Sequence, residues 1–287
     1  MTDRSPCVRV DAHHHVWDLA VRDQPWTADL PALRRSFTFA ELRPQLAEAR
    51  VTKTVLIQTV TVPEETPELL ALAAQTPEIG GVVGWVDLSA ADVGDRLAAL
   101  RAGADGRWLV GIRHQVQAEP DPGWLLRTDV VRGLRTLANA GLGYDLLVTP
   151  PQLQTAIDVA RQLPEVRFIL DHGGKPAVAS GDLKSWRPHI TALAQLPNVA
   201  VKLSGLLTEG GPDSTPEVIR PYAEALLAAF GAQRVMFGSD WPVCTLRADY
   251  VDVVAITSDL LAGCSVSERA AVFAESATSW YRLEGTG

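Results

Sequence analysis

Cysteine is scarce in this chain. Cys7, Cys244 and Cys264 are its only three, far apart and outside any C-x-x-C spacing, which excludes a disulfide framework and a thiolate zinc site and leaves reduced, buried thiols as the expectation. Long apolar runs are missing too: no window approaches the ~18 uninterrupted apolar residues of a membrane helix. The opening "MTDRSPCVRVDAHHH" has no apolar centre of a secretory signal, so a cytoplasmic protein that does not enter membranes is expected. Basic residues are the minority, 26 against 34 acidic, for a net charge of −8, and the densest basic pair along the chain is Arg34 and Arg35. Nucleic acid is therefore not an expected partner. Internal repeats, low-complexity tracts and linker-like stretches are absent, so residues 1–287 read as one domain.

What is present is a regular alternation. Short runs rich in Val, Ile and Leu predict strands at Cys7–His13, Thr54–Val60, Gly80–Leu88, Leu109–Val116, Gly143–Val148, Val166–His172, Val199–Ser204 and Arg234–Asp240. Amphipathic segments between them predict helices over Thr38–Ala49, Pro67–Gln75, Ala91–Ala102, Trp124–Ala140, Pro151–Leu163, Trp186–Leu196, Pro216–Phe230 and Asp249–Ala262, with a closing helix over Ser267–Leu283. Pro151 and Pro216 mark helix starts, and Gly141 and Gly231 mark helix ends. Near-continuous apolar strands suit a parallel sheet covered by helices, and eight β–α units make the arithmetic of a (β/α)8 TIM barrel. The competing doubly wound sheet lacks its G-x-G-x-x-G after the first strand.

Chemistry in such barrels collects at the C-terminal ends of the strands. Five of the six histidines fall there, His189 being the exception. In "DAHHHVWD", His13 and His15 are two residues apart and share one face of an extended strand, while His14 faces the other way. Two imidazoles joined by Asp240 of "GSDWP" are a candidate first shell for one divalent ion, Zn²⁺ in the first instance; Asp240 could equally take a proton from water, or cap the following helix. His114 and His172, each alone, are as readily structural.

The motifs "DAHHHVWD", "GIRHQVQAEPDPGWLL", "FILDHGGKP", "VAVKLSGLLTE" and "VMFGSDWPVC" stand in order across residues 8–283. Together they resemble the amidohydrolase superfamily, specifically the amidohydrolase-2 branch that contains sugar lactonases (L-fuconolactonase, L-rhamnonolactonase) and 2-pyrone-4,6-dicarboxylate lactonase. The resemblance implies that His13 and His15 form the H-x-H pair, that His172 is the strand-six histidine and that Asp240 is the strand-eight acid. Two departures matter. Binuclear members carry a carboxylated lysine on the fourth strand, where this chain has Ile112, Arg113 and His114; mononuclear members commonly add a histidine on the fifth, where it has Tyr144 and Asp145. The resemblance thus disfavours two metals and leaves open both a single ion and catalysis without metal.

The activity this implies is opening of a lactone ester, that of a sugar (aldono) lactone in the first instance. Asp240 would serve as general base, with His172 and His114 as further catalytic candidates and His13, His15 and Asp240 as the metal set. Arg113, Gln58, Tyr144, Lys175, Lys202, Trp85 and Trp241 are candidate substrate-binding residues, although Lys202, on a buried strand, could instead ion-pair with Glu209 or Asp171. The competing readings are a metal-dependent non-oxidative decarboxylase, a pyrone-type lactonase and a non-catalytic sugar-acid sensor. Apolar residues on the outer helices suffice for a homodimer, but covering a barrel needs them equally.

Overall fold

The computed structural model describes residues 9–283. The strands are β1 (Val10–His14), β2 (Lys53–Ile57), β3 (Ile79–Gly84), β4 (Leu109–His114), β5 (Gly143–Leu146), β6 (Arg167–Leu170), β7 (Val199–Leu203) and β8 (Val235–Phe237). All are parallel and pair in chain order from β1 to β8. The ring closes where the Asp240 amide donates to the His13 carbonyl at 2.8 Å and the His15 amide to the Trp241 carbonyl at 2.7 Å. This is the (β/α)8 barrel that the alternation predicts.

The helices are α1 (Phe39–Ala49), α2 (Glu65–Gln75), α3 (Val93–Ala102), α4 (Thr128–Asn139), α5 (Leu153–Gln162), α6 (Leu183–Ala194), α7 (Leu206–Glu209), α8 (Pro216–Phe230), α9 (Tyr250–Leu260), α10 (Val266–Ala270) and α11 (Ser276–Tyr281). Local chemistry sets their ends. Thr38 and Glu41 form a reciprocal capping box at α1, Pro216 is the first residue of α8, and Gly141 and Gly231 sit just past α4 and α8 with φ of 73° and 69°. The predicted helix Trp124–Ala140 is instead a single tight turn, Trp124–Leu126, followed by α4, because Arg127 between them has ψ 138 and breaks the helical path. The closing helix is interrupted by a π-turn at Ala271–Glu275, an extra residue that re-phases α11 relative to α10. Of the predicted first strand, Cys7 and Val8 lie outside the described residues; Cys244 and Cys264 are free thiols.

Two apolar layers hold the barrel. One lies between sheet and helices; the other fills the barrel floor with Val10, Ala12, Val55, Ile57, Val83 and Met236, plugged from below by Ala277, Tyr281 and Leu283 of the closing segment. Above that plug the interior turns polar, which places the chemistry at the C-terminal strand ends. Among the described residues no helix is long and apolar enough to cross a membrane.

Candidate active site

The first strand reaches the mouth through a bulge. Asp11 pairs with Thr54 and His14 with Leu56, so three steps on β1 match two on β2. The extra residue lets Val10 and Ala12 point into the floor while His13 and His15 point into the mouth above it. His14 faces outward, its Nε2 2.9 Å from Thr54 Oγ1 and its ring against Phe39. Asp11 clamps the back of this turn: it accepts from the His13 and Ser239 amides at 3.0 and 2.8 Å, from Ser239 Oγ at 2.6 Å and from the Tyr250 hydroxyl at 3.2 Å. Its burial is deep enough to push its carboxyl up to about 6 despite those donors. Gly238 is required beside it, since a Cβ there would lie 2.8 Å from the His13 Cβ.

His13 Nε2 and His15 Nε2 stand 3.1 Å apart, and Asp240 Oδ1 lies 3.6 Å from the first and 3.5 Å from the second. A circle through three atoms so spaced has a radius of about 2.0 Å, the bond length of zinc to imidazole nitrogen or carboxylate oxygen. The ring orientation agrees: His15 Nδ1 donates to the Ile57 carbonyl at 2.9 Å, which leaves the Nε2 lone pair facing the triangle. The donor set therefore fits one divalent ion with an open fourth position, on chemistry as well as spacing.

Beneath the triangle lies a sealed ionic layer. Lys202 Nζ is 2.6 Å from Asp145 and 2.8 Å from Asp171, Arg113 Nη1 is 3.0 Å from Asp171, and the Tyr281 hydroxyl donates to Asp145 at 2.7 Å. His13 Nδ1 touches this layer twice, 3.1 Å from Lys202 Nζ and 3.4 Å from Asp171 Oδ1. Burial and the Lys202 charge hold His13 neutral, well below its ordinary value. Burial also pushes Asp171 up, but Lys202, His13 and Arg113 more than reverse it, so its carboxylate stays ionised. Two cations thus face three buried carboxylates, Asp145, Asp171 and Asp240, and the unbalanced negative charge sits beside the triangle, where a cation would complete it.

His172 and Asp240 both hold the left-handed conformation, with φ of 52° and 59°, as does Lys175 at 50°. Such strain in non-glycine residues persists where the surroundings over-determine it, and here three of the five cases among the described residues ring one site. His172 Nδ1 meets Ser204 Oγ at 2.9 Å, and Gly205 has to be glycine because a Cβ would lie 2.8 Å from that nitrogen. Burial lowers His172 to about 4. For Asp240, burial acts upward, yet His172, His15 and Lys175 outweigh it and hold the carboxyl below the ordinary 3.8. At neutral pH the site presents neutral His13 and His172 imidazoles and an ionised Asp240.

The other candidates divide. Lys175 is at the rim, paired with Glu209 at 3.2 Å and with Gln117 Oε1 at 3.1 Å. Arg113 and Lys202 are in the ionic layer; Gln58 Oε1 is spent on Arg113, accepting from Nε at 3.0 Å and from Nη2 at 2.8 Å. Four candidates stand apart from the triangle. Tyr144, next to inward-facing Asp145 on an alternating strand, points to the helix side, wholly buried against Phe168. Trp241 is 2 % exposed and packs edge-on to Phe37 as part of the wall. His114 has both ring nitrogens engaged, accepting from Trp85 Nε1 at 3.0 Å and facing Glu119 at 2.7 Å, with its ring stacked on Trp124 at 4.2 Å. That leaves neither His114 nor the Trp85 N–H free for a substrate.

Asp11 and Tyr281 are not singled out by the sequence, and Asp145 is noted there only for standing on the fifth strand. A signal existed for Asp145: an acid inside an apolar strand, opposite Lys202 inside another, is a buried pair waiting to be matched.

Fold and site together define a barrel enzyme whose mouth is built around a cation-competent His–His–Asp triangle. The chain belongs to the amidohydrolase family, whose profile matches residues 10–283. It is 36% identical over 285 residues to an L-fucono-1,5-lactonase of Burkholderia ambifaria, with 96% of each chain covered. An L-fucono-1,5-lactonase of Burkholderia multivorans is likewise 36% identical, over 289 residues and 96% of each chain. A crystal structure of an amidohydrolase from Burkholderia multivorans with bound zinc superposes with a TM-score of 0.91 at 35% identity, covering 96% of this chain and 99% of that one.

Proposed function

We propose that this protein hydrolyses the ester of a sugar (aldono) lactone. The observation that carries the reading is the His13–His15–Asp240 triangle at the mouth of the barrel, in a chain 36% identical to proteins named L-fucono-1,5-lactonase. Charge accounting supports a neutral substrate. Arg113 is saturated by Gln58 and Asp171, Lys202 by Asp145 and Asp171, and Lys175 by Glu209. A pyrone dicarboxylate, or the carboxylate of a decarboxylase substrate, would call for a free cation that these residues do not supply.

In the reaction, ionised Asp240 takes a proton from water as the water oxygen bonds to the lactone carbonyl carbon. With Ser204 Oγ–H donating to His172 Nδ1, the neutral imidazole carries its proton on Nε2 and offers it to the developing oxyanion. As the ring C–O bond breaks, protonated Asp240 returns its proton to the leaving alkoxide, and the product is the open hydroxy acid. His13, His15 and Asp240 would hold a divalent ion such as zinc, which when bound would supply Lewis-acid polarisation of the carbonyl. The ionic layer keeps His13 neutral and in place.

A pH-indicator screen of aldonolactones and a pyrone dicarboxylate, on metal-analysed protein with and without chelator, tests the assignment. Acid release from at least one aldonolactone and none from the pyrone is expected. No release from any lactone above the spontaneous rate overturns it.

A further inference from the structure

The barrel end opposite the site carries a cleft of about 500 Å³ whose lining includes Lys53, Arg101, Arg107, Trp108 and Arg282 and no carboxylate. These cations come from the start of β2, the end of α3, the turn before β4 and the residue after α11, so no linear stretch reveals them. Folding thus builds a basic patch in a chain of net charge −8. Arg167, first residue of β6, stands behind it, its Nη2 donating to the Gly141 carbonyl at 2.7 Å. Among the described residues none of these five side chains is ion-paired with a carboxylate.

The simplest alternative is that the cations only neutralise helix ends. Arg101 does donate to the Ala140 carbonyl past α4, and α3 and α4 both end here. With α11, which ends at Tyr281 on the lining, three helix C-termini amount to about −1.5 in all, against four whole positive charges, so capping leaves a clear excess. Two donors are also left over. Trp108 Nε1 and Arg167 Nε are buried with no acceptor, and buried N–H groups in native proteins almost always find one.

We propose that this cleft is a binding site for a small multivalent oxyanion, with a phosphate ester as the class that fits. Its fork-shaped Arg101, Arg107 and Arg282 donors match tetrahedral phosphate oxygens, and Trp108, Leu109 and Leu142 form an apolar wall for the organic part. Arg107 is preset, its guanidinium 4.8 Å from the Trp108 ring centre. The site is separate from the lactone site and does not depend on that assignment.

Calorimetric titration of the whole protein with inorganic diphosphate, in a low-salt buffer free of phosphate, provides the test, with citrate as a second arm. One saturable site per chain is expected, weakened roughly tenfold or more in Arg107→Gln/Arg282→Gln by loss of charge-assisted contacts and unchanged in Arg187→Gln, an exposed arginine on α6. If the double variant does not fold by circular dichroism, Arg107→Gln alone serves, because it leaves the helix-capping arginines in place. Non-saturating heats, or equal weakening in Arg187→Gln, overturn the site. Tighter binding of citrate than of diphosphate overturns the phosphate class.

Discussion

His13 Nε2 and His15 Nε2 face each other across 3.1 Å, although the two residues are separated on β1 by a third histidine that faces outward. Two imidazole nitrogens gain little at that distance unless a proton or an ion lies between them. With Asp240 Oδ1 completing the triangle, one zinc ion per chain is expected by metal analysis of protein loaded and desalted. His15→Ala should weaken zinc binding by ~100-fold or more, since it removes one of three protein ligands. Equal zinc retention in the variant would show that the ion sits elsewhere.

The ionic layer beneath the triangle is expected to matter for stability as well as for His13. Lys202→Met leaves Asp145 and Asp171 buried against each other without their shared cation. Removing one partner of a buried pair costs about 3–5 kcal/mol, and urea unfolding should show a loss in that range. A loss under about 1 kcal/mol would mean that water reaches the layer.

His114 is placed as a strut between Trp85, Trp124 and Glu119. His114→Asn should therefore lower kcat by less than about tenfold, whereas loss of a general base or acid costs about 10²–10⁴-fold. A fall of that second size would return His114 to the chemistry.

The pH dependence follows from two depressed values. Asp240 must be ionised and lies below the ordinary 3.8; His172 must be neutral and protonates at about 4 because it is buried. Lowering the pH through about 4 protonates His172, and Asp240, held lower, follows, so kcat/KM should hold from neutral pH down to about pH 5 and fall below it. An acid limb near 6.5, the ordinary histidine value, would contradict the depressed His172.

Much of this was legible beforehand because barrels repeat. Apolar strands and capped helices announced eight units, and the H-x-H spacing put His13 and His15 on one face. What the sequence hid was set by contacts between distant segments. The β1 bulge depends on pairing with β2, so nothing local to "VDAHH" shows that Ala12 and His13 both point inward. Tyr144 is the second residue of β5, and the inward orientation of its neighbour Asp145, fixed by Lys202 and Tyr281, turns it outward. Lys202 was readable as an ion-pair partner of Asp171, but its bond to Asp145 crosses the barrel. The basic cleft under the floor is drawn from four separate chain segments.

The proposed hydrolysis of an aldonolactone turns on Asp240. Its most direct measurement is the initial rate of acid release from L-fucono-1,5-lactone by metal-analysed wild-type protein and by Asp240→Asn, with circular dichroism confirming that both are folded. Hydrolysis by the wild type is expected, with a loss of roughly 10³-fold or more in the variant, which keeps the shape but can neither take nor return the proton. Full activity in Asp240→Asn would contradict it.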